Sequence, residues 1–238
     1  MGRIKVIRTV TAFAAVMAVA APGIAQEDVR VPTVPAGTPA VLFPVQAVRP
    51  TTGGVWPGGG TTDRATLERL DAEIQFAFDE EPSAGNWALP DDVARRLRRN
   101  PMVKVDPYQL AYHGLVRKPK STDQIYEPLH SQLRQVAALF NARIVVLPML
   151  VWYEPGAPLE AKYEDDEEEE GRGSGDPSED AEEKDAGSYG RAVMLTAIID
   201  TRRSAVLWHG EIRGEPEDVR NGVLLSTLAF NTAHHLAP

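Results

Sequence analysis

Apolar residues in this chain fall into two spacings. Residues 40–48 (AVLFPVQAV), 143–153 (RIVVLPMLVWY) and 190–200 (GRAVMLTAIID) are almost continuously apolar over the length of a strand. Such runs, rich in Val, Leu and Ile, are what strands covered on both faces show. Pro44 sits badly in the middle of the first, because it has no N–H for a ladder. Residues 205–213 (AVLWHGEIR) read as a further strand, separated from the preceding one by a tight turn at 201–204, and residues 102–105 read as a short strand after Pro101.

Between these runs the spacing becomes helical. Leu67, Leu70, Ile74 and Phe78 recur on one face, with Thr62 or Asp63 placed to accept from the free N–H groups of a first turn. A short helix is expected over 90–99. It has Pro90 at its start, Asp91 and Asp92 in its first turn, and Arg95, Arg96, Arg98 and Arg99 towards its end, the distribution the helix dipole favours. Residues 108–116 predict another short helix. Residues 123–141 predict a long one, carrying Ile125, Leu129, Leu133, Val136 and Phe140 on one side, with Pro128 allowing a later start. The last helix is expected over 217–236, on Val219, Val223, Leu224, Leu228 and Phe230.

The order is strand, helices, strand, helices, three strands, helix. This predicts an α/β (α+β) domain over residues 39–238: a mixed sheet of about four to five strands with helices packed on it. Helical crossovers favour parallel pairing early in the chain, and short turns favour antiparallel hairpins late. Residues 49–62 hold Gly53, Gly54, Pro57, Gly58, Gly59 and Gly60 and read as a flexible loop; without a Lys at the Walker position the glycines are not a phosphate loop. Residues 26–38, with Pro32 and Pro35, read as a linker.

Charge sharpens this picture. The chain carries a formal net charge of −9, but residues 160–185 alone hold 14 acidic against 3 basic residues. With Arg3, Lys5 and Arg8 set aside as well, the remainder is close to neutral, so the folded body has no electrostatic reason to bind nucleic acid. The acidic stretch, about 157–188, is too poor in apolar groups to offset the entropy of ordering and reads as a disordered loop joining two strands. Its carboxylates lack the alternating spacing of a calcium loop.

The first 25 residues have the three parts of a secretory signal. Arg3, Lys5 and Arg8 precede an apolar stretch at 10–21, and Gly23 and Ala25 are small residues before a cleavage point between Ala25 and Gln26. The apolar stretch is short for a bilayer span of roughly 20 residues, so no stable membrane insertion is expected after cleavage. The cysteine count is zero, which excludes disulfides and thiol chemistry.

Candidate chemistry is sparse. His113, His130, His209, His234 and His235 have no zinc-ligand spacing, and neither H-E-x-x-H nor G-x-S-x-G occurs. No catalytic residue, metal site or cofactor is therefore expected. Asp200, at a strand end before residues 201–204, reads as an Asx-turn acceptor. Trp152, Tyr153 and Trp208 are strand-end aromatics, read either as core and rim packing or as a binding surface.

Three segments resemble bacterial envelope proteins of the TolB N-terminal-domain and CsgG type. Residues 39–48 (PAVLFPVQAV) resemble their first strand, 141–151 (NARIVVLPMLV) a later core strand, and 193–210 (VMLTAIIDTRRSAVLWHG) their hairpin of apolar strand, Asp, Thr-Gly turn and apolar strand. Arg143 stands where the family usually has Asp, and Arg202 and Arg203 replace the Thr-Gly turn. The resemblance implies a periplasmic α/β domain making protein–protein contacts with envelope partners. The expectation is thus a non-enzymatic exported envelope protein. The alternative is a periplasmic small-molecule or peptide binder. A hydrolase ranks behind both, and would need a pocket joining a His to a carboxylate and a hydroxyl.

Overall fold

A computed structural model describes residues 33–35, 37–49, 63–81, 86–117, 124–156 and 189–237. The expected signal peptide with its Ala25–Gln26 cleavage point, most of the glycine-rich loop and the acidic insertion lie outside these residues.

The long apolar runs form the centre of a six-stranded mixed sheet. In chain order the elements are β1 (Ala40–Leu42), α1 (Asp63–Asp79), β2 (Trp87–Ala88), α2 (Pro90–Arg99), α3 (Leu129–Leu139), β3 (Ile144–Pro155), β4 (Tyr189–Asp200), β5 (Ala205–Arg213), β6 (Glu217–Asp218) and α4 (Leu224–Leu236). The strands lie in the order β2-β1-β3-β4-β5, with β6 beside β4. β1 pairs parallel with β2 and β3, and the later pairings are antiparallel. This is the α+β architecture with late hairpins that the patterning predicts.

Alternation along the strands sends side chains to two cores, one on each face. On one face Leu42, Val146, Met194 and Ile212 meet Leu70, Ile74 and Phe78 of α1 and Leu224, Leu225 and Leu228 of α4. On the other, Val41, Val145, Leu147 and Ile199 meet Val93 and Leu97 of α2 and Leu129, Leu133 and Val136 of α3. Val34, inside the stretch expected as linker, is buried, and its N–H donates to the Leu236 carbonyl at 3.2 Å. No described helix is long and apolar enough to cross a membrane.

The structure corrects several elements. The strand expected over 40–48 is regular only to Leu42. Pro44 interrupts it, and a register shift lies opposite between Pro148 and Leu150, although Gln46 and Arg49 still donate to β3 carbonyls. Residues 102–105 are not a strand, and Met102 is 91% exposed. The extra strand is β2, two residues long and too short to show a period. Of 108–116 only Tyr112–Leu115 is helical, as one 3-10 turn. α3 begins after Pro128, and the segment before it runs alongside the β4–β5 turn instead, with Gln124 bridging Ala205 and Ile125 N–H donating to Ser204. α4 begins at Leu224, because Glu217–Asp218 pairs with β4 and Gly222, at φ 69°, turns the chain before the helix. Phe230 accordingly points outward, 45% exposed.

Candidate functional site

The functional candidates gather where α3 passes the β4–β5 turn. Four residues separate the end of α3 from the start of β3, whose first residue, Ile144, pairs with Asp200, the last of β4. This pairing brings the turn at 201–204 against α3. Thr201 clamps the junction, its N–H and Oγ1 both donating to the Arg143 carbonyl at 3.0 and 2.9 Å.

Asp200 is the anchor of the turn. Its side chain is 1% exposed. Its Oδ1 accepts from the backbone N–H of Arg202 and Arg203 at 3.0 and 3.2 Å, the Asx-turn expected of it. Its Oδ2 accepts from Arg143 Nε at 2.9 Å and Nη2 at 2.5 Å. The hydrogen bonds from Arg143 hold the Asp200 carboxyl below the usual carboxylate range, against the opposing effect of burial. An Arg at 143 thus has a clear use: it neutralises the carboxylate beneath the turn.

Above this anchor lies a cavity of about 440 Å³, within the range of small-ligand sites. One stripe of α3 forms its floor. His130, Arg134 and the pair Ala137 and Ala138 recur at helical spacing, Asn141 follows just past the helix end, and the two alanines leave the space open. Thr201, Arg202 and Ser204 form its wall. Arg134 and Arg202 contribute two exposed guanidinium groups, and no carboxylate is among the lining residues.

Two further features single this cavity out. Asn141 and Ser204 have φ of 51° and 54°, and they are the non-glycine residues of the described chain with positive φ. Both line the cavity. At Asn141 this is the left-handed cap of α3, with the Asn141 N–H on the Ala138 carbonyl and the Ala142 N–H on the Ala137 carbonyl; at Ser204 it closes the β4–β5 turn. Second, Ser204 Oγ lies 2.7 Å from His130 Nε2, and His130 Nδ1 lies 3.3 Å from Glu127 Oε1. Glu127 Oε2 also accepts from the Ser131 N–H at 3.2 Å. Hydrogen bonding from Ser131 holds the Glu127 carboxyl low, so it stays ionised beside the imidazole.

The aromatic candidates are not brought together. Trp152 and Tyr153 are sequence neighbours on β3 and point to opposite faces. The Arg49 guanidinium stacks over Trp152, 5.5 Å from its ring centre. Tyr153 packs against the α1/α4 core; its ring occupies the space a side chain at Gly190 would need, and its hydroxyl donates to the Tyr189 carbonyl at 3.2 Å. Trp208 is buried in that core, with its ring over Gly210. Its register partner is Ile198, whereas Trp152 pairs with Val193, well along β4.

A second buried carboxylate stands apart from the cavity. Asp71, on α1, accepts at 3.0 Å from the Val45 N–H. Burial pushes its carboxyl up to about 7, against the opposing pull of that hydrogen bond and of Arg64. Arg64 itself lies over the Tyr108 ring at 4.5 Å. Among the described residues, no three His, Asp or Glu side chains converge as a metal site requires.

The cavity is not legible in the sequence because its two halves, residues 130–142 and 201–204, are joined only by the fold. Its one visible signal was the turn itself, where Arg202–Arg203–Ser204 stands in place of the glycine such a turn favours. Comparison with family models, curated proteins and solved structures finds no match for the chain.

Proposed function

We propose that this chain is an exported envelope protein that works by binding, and that the cavity between α3 and the β4–β5 turn receives a small anionic ligand. The observation that carries this reading is the cavity's lining: Arg134 and Arg202 beside His130, Asn141, Thr201 and Ser204, with no carboxylate among the lining residues; Glu127 meets His130 from outside the lining. The carboxylate nearest in sequence, Asp200, is already spent on Arg143 and the turn. Guanidinium groups bind carboxylates through paired, charge-assisted hydrogen bonds. A small dicarboxylate such as succinate should raise the thermal midpoint of the wild-type protein. The Arg134→Ala/Arg202→Ala double variant, folded to the same extent by circular dichroism, should lose that response. An equal response in both would overturn the reading.

Export is supported by the tripartite N-terminus. Expression of the full chain in a Gram-negative host should yield periplasmic protein beginning at Gln26, read by intact mass. Cytoplasmic protein retaining residues 1–25 would contradict it.

One observation favours a second reading, contact with a partner protein. Phe76 of α1 and Phe230 of α4 are 54% and 45% exposed, and their rings meet edge to face at 6.0 Å on the outer side of the helix pair. Exposed paired aromatics are typical interface anchors. Crosslinking in envelope extracts that is lost in Phe76→Ser/Phe230→Ser would support this reading, and unchanged crosslinking would remove it.

A further inference from the structure

Three polar groups form a chain that ends in the cavity: the Glu127 carboxylate, outside the lining, then the His130 imidazole and the Ser204 hydroxyl, which line it. With the proton of the imidazole on Nδ1 facing Glu127, Nε2 is left as an acceptor, 2.7 Å from Ser204 Oγ. That is the distance and the order a general base and its nucleophile require. Ser204 is partly accessible and faces the cavity, and its backbone is held at φ 54° by the Asp200 anchor behind it and by the Ile125 N–H on its carbonyl.

We infer that Ser204 is a nucleophile activated by His130, with Glu127 as the positioning residue, and that the substrate is a small ester carrying a free carboxylate. This rests on the anion-binding reading of the same cavity. Arg134 and Arg202 take the carboxylate, which sets the scissile carbonyl towards Ser204. Ser204 Oγ attacks the carbonyl carbon and its proton passes to His130 Nε2. The C–O bond to the alcohol breaks as His130 returns that proton to the leaving oxygen, giving the free alcohol and an acyl ester on Ser204. Water then attacks the acyl carbon, giving up a proton to His130. Release of the carboxylic acid restores the proton to Ser204. The net reaction is ester plus water to acid plus alcohol, with no other reactant. None of the linear hydrolase motifs is needed, because the three residues come from the approach to α3, its first turn and a hairpin 74 positions further along the chain.

The test uses the full chain purified after export, a fluorophosphonate probe and 4-nitrophenyl hemisuccinate. Wild-type protein should be labelled on Ser204, located by peptide mapping, and should release nitrophenolate. Ser204→Ala should abolish both. His130→Gln should slow both by about 10²-fold or more, the usual contribution of a general base. Glu127→Gln should lower the turnover rate with little change in KM, a split that a merely structural role would not give. Succinate titration runs in parallel on every variant. Binding of succinate without labelling of wild-type Ser204 would overturn the relay and leave the anion site standing. Absence of both would remove both. Turnover retained in Ser204→Ala would overturn the nucleophile assignment.

Discussion

Asp71 and Asp200 are both withdrawn from solvent, at 9% and 1% residual exposure, yet they differ in charge behaviour. Asp200 has Arg143 on one oxygen and two backbone N–H groups on the other, and its carboxyl is held low. Asp71 has one backbone N–H from Val45, with Arg64 acting only at a distance, and its carboxyl rises to about 7. Burial is common to both; the number and charge of the donors decides the outcome. One aspartate is a fixed anion that shapes a turn and the cavity above it. The other is an acid that titrates near neutrality beside a break in β1.

The comparison breaks most readily at Asp200. Asp200→Ala leaves two turn N–H groups without their acceptor, while the half-exposed Arg143 can turn to water, and should cost about 3 kcal/mol in urea unfolding. A loss under 1 kcal/mol would mean the anchor is replaceable. An effect of similar size is expected at Asp71, where the sign is opposite. Its folded carboxyl titrates above its unfolded one, so the folded state holds the extra proton and stability falls as pH rises from about 4 through 7. Asp71→Asn keeps an acceptor for Val45 and removes the buried charge. It should be more stable than wild type by about 3 kcal/mol at pH 8 and nearly equal at pH 4. A pH-independent difference would refute the assignment. Asp200 has the reverse dependence: its contribution is complete above the ordinary carboxylate range and is lost as pH falls through its lowered value. The smallest effect is at the cavity floor. Asn141→Ala places an ordinary side chain at φ 51° and should cost about 1 kcal/mol, whereas Asn141→Gly should not destabilise.

The two centres were unequally legible in the sequence. The sheet was readable because β3, β4 and β5 are long and their burial leaves a period or a continuous apolar run. β2 was not, since two residues carry no period. The start of α3 was displaced because Ile125, which fits the helical spacing, is buried beside the β4–β5 turn instead. Asp200 could be read as a turn acceptor from its place alone, but Arg143, 57 positions away, becomes its partner only through the β3–β4 register. Asp71 gave no signal, because its hydrogen-bond partner is one backbone N–H, that of Val45 just past Pro44, brought to it only by the packing of α1 on the sheet. His130 and Ser204 were each visible singly, as a histidine without metal spacing and as a turn residue. Their 2.7 Å approach depends on the chain before α3 running along the turn.

The most direct test of the account is an amide-resolved NMR titration of the exported chain with succinate. The account predicts saturable shifts confined to His130, Arg134, Asn141, Thr201, Arg202 and Ser204, absent in Arg134→Ala/Arg202→Ala. Shifts scattered over the surface, or confined to the Phe76 and Phe230 face with the α3 residues unmoved, would contradict it.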